Sequence, residues 1–211
     1  MDFREVMERR SSCRKFRPDP IDPETLRELV RLAGLAPSPA NAQPWRFIAV
    51  SNKTLLETMA AEVRRRTEEV FPAPRTKPGR AAFERLLWFS TFFAEAPVVI
   101  FAALSPYRAV AAEALEGHAH PTHDEINAMR QQPDLQCLGA AIEHLLLAAT
   151  GLGLAGCWLA APLVARREME QILGLTPPWR LASLVAVGRP ALLLNTEKER
   201  KPLEQIFELI P

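Results

Sequence analysis

The chain reads as a single α+β domain, a central sheet with helices on both sides. Three observations point there. Short apolar runs of strand length occur at 45–50, 97–103, 154–160 and 181–187. Segments with apolar residues at helical spacing lie between and before them. The 211 residues contain no internal repeat, low-complexity tract or composition break that would mark a second domain.

Residues 2–9 read as a first helix, with Phe3, Val6 and Met7 on one face. Pro18, Pro20 and Pro23 punctuate the next loop, and Asp22-Pro23-Glu24 opens a second helix with an N-cap acid and a first-turn proline. Leu26, Leu29, Val30 and Ala33 repeat along it up to Gly34. A proline-broken loop follows at 36–44, then a strand at 45–50 and a helix at 53–70. Residues 71–80 read as irregular, and 81–94 as a helix whose aromatic end (Trp88, Phe89, Phe92, Phe93) suits core packing. The run Pro97-Val98-Val99-Ile100-Phe101-Ala102-Ala103 has the pattern of a strand covered on both faces. From 105 to 133 the sequence is polar and changeable. Asp134 opens the strongest helix, in which Leu135, Leu138, Ile142, Leu145, Leu146 and Ala149 lead to Gly151. Small residues fill its other faces, so it must be buried, and a subunit interface is a natural place for it. Strands at 154–160 and 181–187 flank a helix at 165–173, and a basic stretch at 198–203 precedes an apolar end.

A net charge of +1 gives no overall pull towards nucleic acid or a membrane. No run approaches the ~18 apolar residues of a membrane span, and the charged amphipathic start lacks a signal core, so a cytoplasmic location is expected. Cys13, Cys137 and Cys157 are odd in number and widely spaced, which fits a reducing compartment.

The stretch Arg9-Arg10-Ser11-Ser12-Cys13-Arg14-Lys15-Phe16 puts four cations and two hydroxyls into seven residues. In an extended chain Arg10, Ser12 and Arg14 point the same way, and four residues of strand span roughly 13 Å. That is about the reach from a mononucleotide's phosphate towards its rings. Arginine forks and hydroxyls are suited to a phosphate dianion. Together these describe one edge of a flavin mononucleotide (FMN) site.

Four pieces in order then resemble the nitroreductase-like, FMN-dependent oxidoreductases over most of the chain. They are Arg-Arg-Ser-x-x-Arg-x-Phe at 9–16, Ala-Pro-Ser-x-x-Asn-x-Gln-Pro-Trp-x-Phe at 36–47, Gly-Leu-Gly-Leu-Ala-Gly-Cys-Trp at 151–158, and Arg200-Lys201-Pro202-Leu203. The resemblance implies a mostly antiparallel sheet in an intertwined homodimer with two interfacial FMN sites. It implies that Arg10, Ser11, Ser12 and Arg14 line the flavin, Arg10 and Ser12 towards its phosphate and Arg14 at the pyrimidine edge, with Arg200 and Lys201 closing over the phosphate. Pro37, Ser38, Pro39 and Asn41 would approach the partner's flavin. Backbone amides at Leu159, Ala160 and Ala161 would face N5, although Ala160 stands where the family commonly has glycine. Residues 105–133 would form the variable lid and 198–211 a C-terminal arm, with flavin contacts from 53–80 left unassigned.

The implied activity is a ping-pong reductase, with NADH or NADPH as transient donor and a nitroaromatic, quinone or related small conjugated molecule as acceptor. No catalytic side chain is needed beyond the flavin. No GxGxxG unit is present to report on the donor. Alternatives are reductive dehalogenation, oxygen-dependent flavin cleavage to a benzimidazole, and a non-catalytic flavin-binding dimer. His118, His120, His123, Asp124 and Glu125 supply metal-type donors, but their spacing matches no structural zinc pattern, so they read as a polar lid and no metal is assigned. Trp45 reads as core and Gln43 as a loop hydrogen-bonder. Cys137 and Cys157 read as inert core thiols, while Cys13, beside Arg14, stands where a lowered pKa can arise.

Overall fold

Four strands make one sheet in a computed structural model that describes residues 2–107, 117, 121–192 and 198–210. They are β1 (Trp45–Val50), β2 (Val98–Leu104), β3 (Ala155–Leu159) and β4 (Arg180–Gly188), in the order β1-β2-β4-β3. Every pairing between them is antiparallel. β2 lies inside the sheet and is buried along its whole length, as its unbroken apolar run requires. Alternate residues serve opposite faces: Val99, Phe101 and Ala103 join one core, and Val98, Ile100, Ala102 and Leu104 the other.

Seven α-helices lie among the described residues: α1 (Phe3–Arg9), α2 (Pro23–Ala33), α3 (Lys53–Val70), α4 (Lys77–Thr91), α5 (His123–Met129), α6 (Pro133–Gly151) and α7 (Arg166–Ile172). Leu56, Met59 and Val63 of α3 and Met169 of α7 pack on one face of the sheet. Leu29 and Ala33 of α2 and Leu138, Ile142 and Leu145 of α6 pack on the other. The sheet is therefore covered on both sides. The Asp22 carboxylate accepts the Thr25 N–H at 2.8 Å, which fixes the start of α2.

Two segments differ from the sequence reading. Helix α4 begins at Lys77, not 81, because the Thr76 hydroxyl caps the Gly79 N–H and Pro78 fits the first turn. Helix α5 forms inside the polar 105–133 region, where Thr122 and Glu125 make a reciprocal capping box. His118 and His120 lie outside the described residues. No described helix is long and apolar enough to cross a membrane.

Candidate functional site

On leaving α1 the chain runs along the outer edge of β3. The Arg10 N–H closes α1 on the Val6 carbonyl, and Ser12 then pairs in parallel with Gly156. The Cys13 N–H donates to the Gly156 carbonyl at 2.9 Å. This extended course buries Cys13, leaves Ser12 exposed, and keeps Arg10 and Arg14 half-buried. Gly156 is itself closely packed from the side of α6 and β4. A Cβ there would stand 2.8 Å from a Leu146 methyl and 3.2 Å from the Ala186 carbonyl oxygen.

Arg14 shares a cleft of about 170 Å³ with Phe89, Phe92 and residues 157–161, so the cation and the Leu159–Ala161 backbone come together. Its guanidinium carbon lies 5.4 Å from the Phe89 ring centroid. Arg10 pairs with Glu143 of α6 at 3.3 Å. Burial pushes the Cys157 thiol up, while Arg14 and Arg10 pull it down. Cys13 is also raised, since its burial outweighs hydrogen bonding from the Lys15 backbone and the Arg14 charge. The lowered value suggested by its neighbours is thus reversed.

Lys198 meets this edge. The Lys198 ammonium donates to the Arg10 carbonyl. Burial depresses its pKa, the Arg10 and Arg200 charges add to that, and Glu143 opposes it. Arg200 and Lys201 are exposed. Sequence reasoning passed over Lys198, although Lys-x-Arg in an extended segment puts both side chains on one side.

Pro37, Ser38 and Pro39 line a separate cavity of about 300 Å³ with Pro133, Gln136, Cys137 and Ala140 of α6. They and Asn41 do not line the Arg14 cleft. The loop is held by its own bonds: the Ser38 hydroxyl accepts the Gln43 N–H at 3.0 Å, and the Gln43 side chain donates to Asn41 at 3.2 Å. Ala40, Asn41 and Gln43 all take positive φ (49°, 53° and 45°), a strained choice for side-chain-bearing residues. His123 packs edge-on against Tyr107 and contacts Asn127. Among the described residues no group of three or more His, Cys, Asp or Glu side chains could hold a metal ion.

Comparison with known proteins matches residues 7–189 to the model of the nitroreductase family. The iodotyrosine deiodinase of Hydra vulgaris is 28% identical over 98% of this chain and 72% of its own length. A BluB-like flavoprotein from Clostridium difficile 630 superposes with a TM-score of 0.86 at 26% identity, over 100% of both chains. An FMN-bound nitroreductase from Desulfitobacterium hafniense DCB-2 gives a TM-score of 0.71 at 23% identity, also over 100% of both. With the family model spanning both the Arg10–Arg14 edge and the β3 cleft, the chain belongs to the nitroreductase family.

Proposed function

We propose that the protein is an FMN-dependent NAD(P)H oxidoreductase acting on nitroaromatics, quinones or related conjugated acceptors. Bound FMN would carry the hydride from nicotinamide to acceptor. The observation that carries this reading is the line of cations along the β3 edge. At one end the Arg10 and Arg200 charges act on Lys198 together, with Glu143 opposing them, a gathering of cations suited to a phosphate dianion. At the other, Arg14 reaches the cleft with no acidic partner among the described residues.

On this reading Arg10, Ser11, Ser12, Lys198 and Arg200 hold the phosphate, with Lys201 beside them. Arg14 meets the pyrimidine edge, where its charge favours the reduced ring. The backbone at Leu159, Ala160 and Ala161 orients the ring from the cleft. The separate surface of Pro37, Ser38, Pro39 and Asn41 serves the flavin of a second copy, so the working unit is a homodimer.

An anaerobic titration of the FMN-reconstituted protein with NADH and then NADPH tests this, followed by the flavin's visible absorbance. The expected result is bleaching by one donor and recovery on adding menadione or a nitroaromatic. Flavin that is bound but bleached by neither donor would overturn the reductase reading. A second reading, reductive dehalogenation, draws on the likeness to iodotyrosine deiodinase. Recovery of colour with a halogenated phenol, but with no quinone or nitroaromatic, would favour it.

A further inference from the structure

We propose that three aromatic residues, Trp88 and Phe89 on α4 and Phe92 just past its end, form a ladder that positions Arg14 and thereby tunes the flavin's reduction potential. This rests on the reading that Arg14 meets the flavin's pyrimidine edge.

The ladder begins in the core. Phe92 is 2% exposed and packs with the residues beneath the sheet. Trp88, one helical turn back, stacks on it with centroids 5.5 Å apart and planes at 28°. Phe89 meets Trp88 edge to face at 4.9 Å and 71°. The Arg14 guanidinium then lies over Phe89 at 5.4 Å, inside cation–π range. A rigid element thus reaches from the core to a cation on the neighbouring chain segment.

Two features set this contact apart from ordinary packing. Trp88 and Phe89 remain 39% and 43% exposed, so they do not serve mainly to fill the core. Arg14 also differs from Arg10, which pairs with Glu143, in having no carboxylate partner among the described residues. A carboxylate would neutralise the guanidinium and occupy its N–H fork. An aromatic face restrains the cation and leaves the in-plane N–H donors available. The cation is thereby held beside the cleft it shares with Leu159, Ala160 and Ala161.

A fixed cation favours the reduced, more negative ring over the oxidised one, whereas a guanidinium free to swing into water loses part of that preference. Phe89 is therefore a positioning residue whose removal changes the potential more than it changes FMN retention.

The test compares Phe89→Leu, Phe89→Tyr and Arg14→Ala with the wild type. It measures the midpoint potential of bound FMN, the Kd for oxidised FMN by fluorescence quenching, and the Arg14 Hδ chemical shifts in FMN-free protein. In Phe89→Leu the preference for reduced over oxidised FMN is expected to fall roughly two- to fivefold, the size of a half-exposed cation–π contact. The potential then moves downward, less than in Arg14→Ala, while the Kd for oxidised FMN stays within about twofold of wild type. Phe89→Tyr keeps the wild-type potential. The upfield ring-current shift of Arg14 Hδ is present in wild type and Phe89→Tyr and lost in Phe89→Leu. A wild-type potential in Phe89→Leu, with a lowered one in Arg14→Ala, would overturn the ladder alone. An unchanged potential in Arg14→Ala would overturn the pyrimidine-edge assignment, and the ladder's role with it. Absence of the ring-current shift in wild type would show that Phe89 does not hold Arg14.

Discussion

Lys198 lies where like charges crowd: Arg10 and Arg200 both depress its pKa after burial has done so, and Glu143 acts the other way. A phosphate dianion seated there would reverse that balance and hold the ammonium protonated. The sign follows. As pH rises through the lowered pKa, free protein loses the charge first, so FMN binding must take up a proton and its affinity falls. The fall begins below the ordinary lysine range. Lys198→Gln is expected to weaken FMN binding at neutral pH by roughly tenfold or more, the size of a hydrogen bond to a charged group. It should also flatten the alkaline decline, as read by fluorescence titration across pH. A variant with the wild-type decline would remove Lys198 from the phosphate site. The sequence made an extended segment at 10–14 legible, because strand geometry is a pattern within five residues, and Ser12 does pair with β3 there. The Lys198–Arg10 contact joins positions 188 apart through a backbone carbonyl, and no local pattern encodes it. The left-handed Ala40 was equally illegible, since the loop carries no glycine to mark a positive φ.

Among the elements, β3 is the hinge between fold and site, because β4 pairs with one of its edges and the Ser12 segment with the other. Gly156 stands at that junction with Leu146 of α6 directly over it. A methyl group added there has no free space, so the Leu146 side chain or the neighbouring backbone must give. Gly156→Ala is expected to cost about 1–3 kcal/mol of stability, as overpacked core sites do. Chemical denaturation would show it, together with weaker FMN binding from a displaced Ser12 segment. Wild-type stability would mean that α6 yields easily. Elements with strong local signals were legible: Asp22 marked α2, and the apolar run at 97–103 marked β2. The start of α4 was hidden because Pro78 reads as a breaker until Thr76 is seen to cap the turn. The strand order β1-β2-β4-β3 depends on pairings between distant segments, and the antiparallel arrangement came from the family resemblance alone.

At the scale of the molecule, two apolar surfaces have nothing over them among the described residues. The C-terminal arm leaves Leu203, Ile206, Phe207, Leu209 and Ile210 between 59% and 81% exposed. On the body, Phe3, Val6, Leu32, Leu35 and Leu147 line an apolar groove of about 310 Å³ between α1, α2 and α6. Side chains of this size gain about 1.5–3 kcal/mol each on full burial, so leaving both surfaces in water is unfavourable. The Pro37–Pro39 surface lines a cavity distinct from the Arg14 cleft, which suits a site completed across two copies. The nearly all-apolar helix at 134–151 gave the first hint of an interface. Much of α6, however, is covered within one chain by α2 and the sheet, so the demand for a partner comes chiefly from the arm. The expected result is that full-length protein sediments as a dimer at micromolar concentration. Removal of residues 203–211 should shift it towards monomer and weaken FMN binding in step, because the half-site supplied by the second copy is lost. Analytical ultracentrifugation with a parallel FMN titration reads both. A full-length monomer that binds FMN tightly would sink the composite site. A truncated protein that stays dimeric would locate the interface on the body rather than the arm.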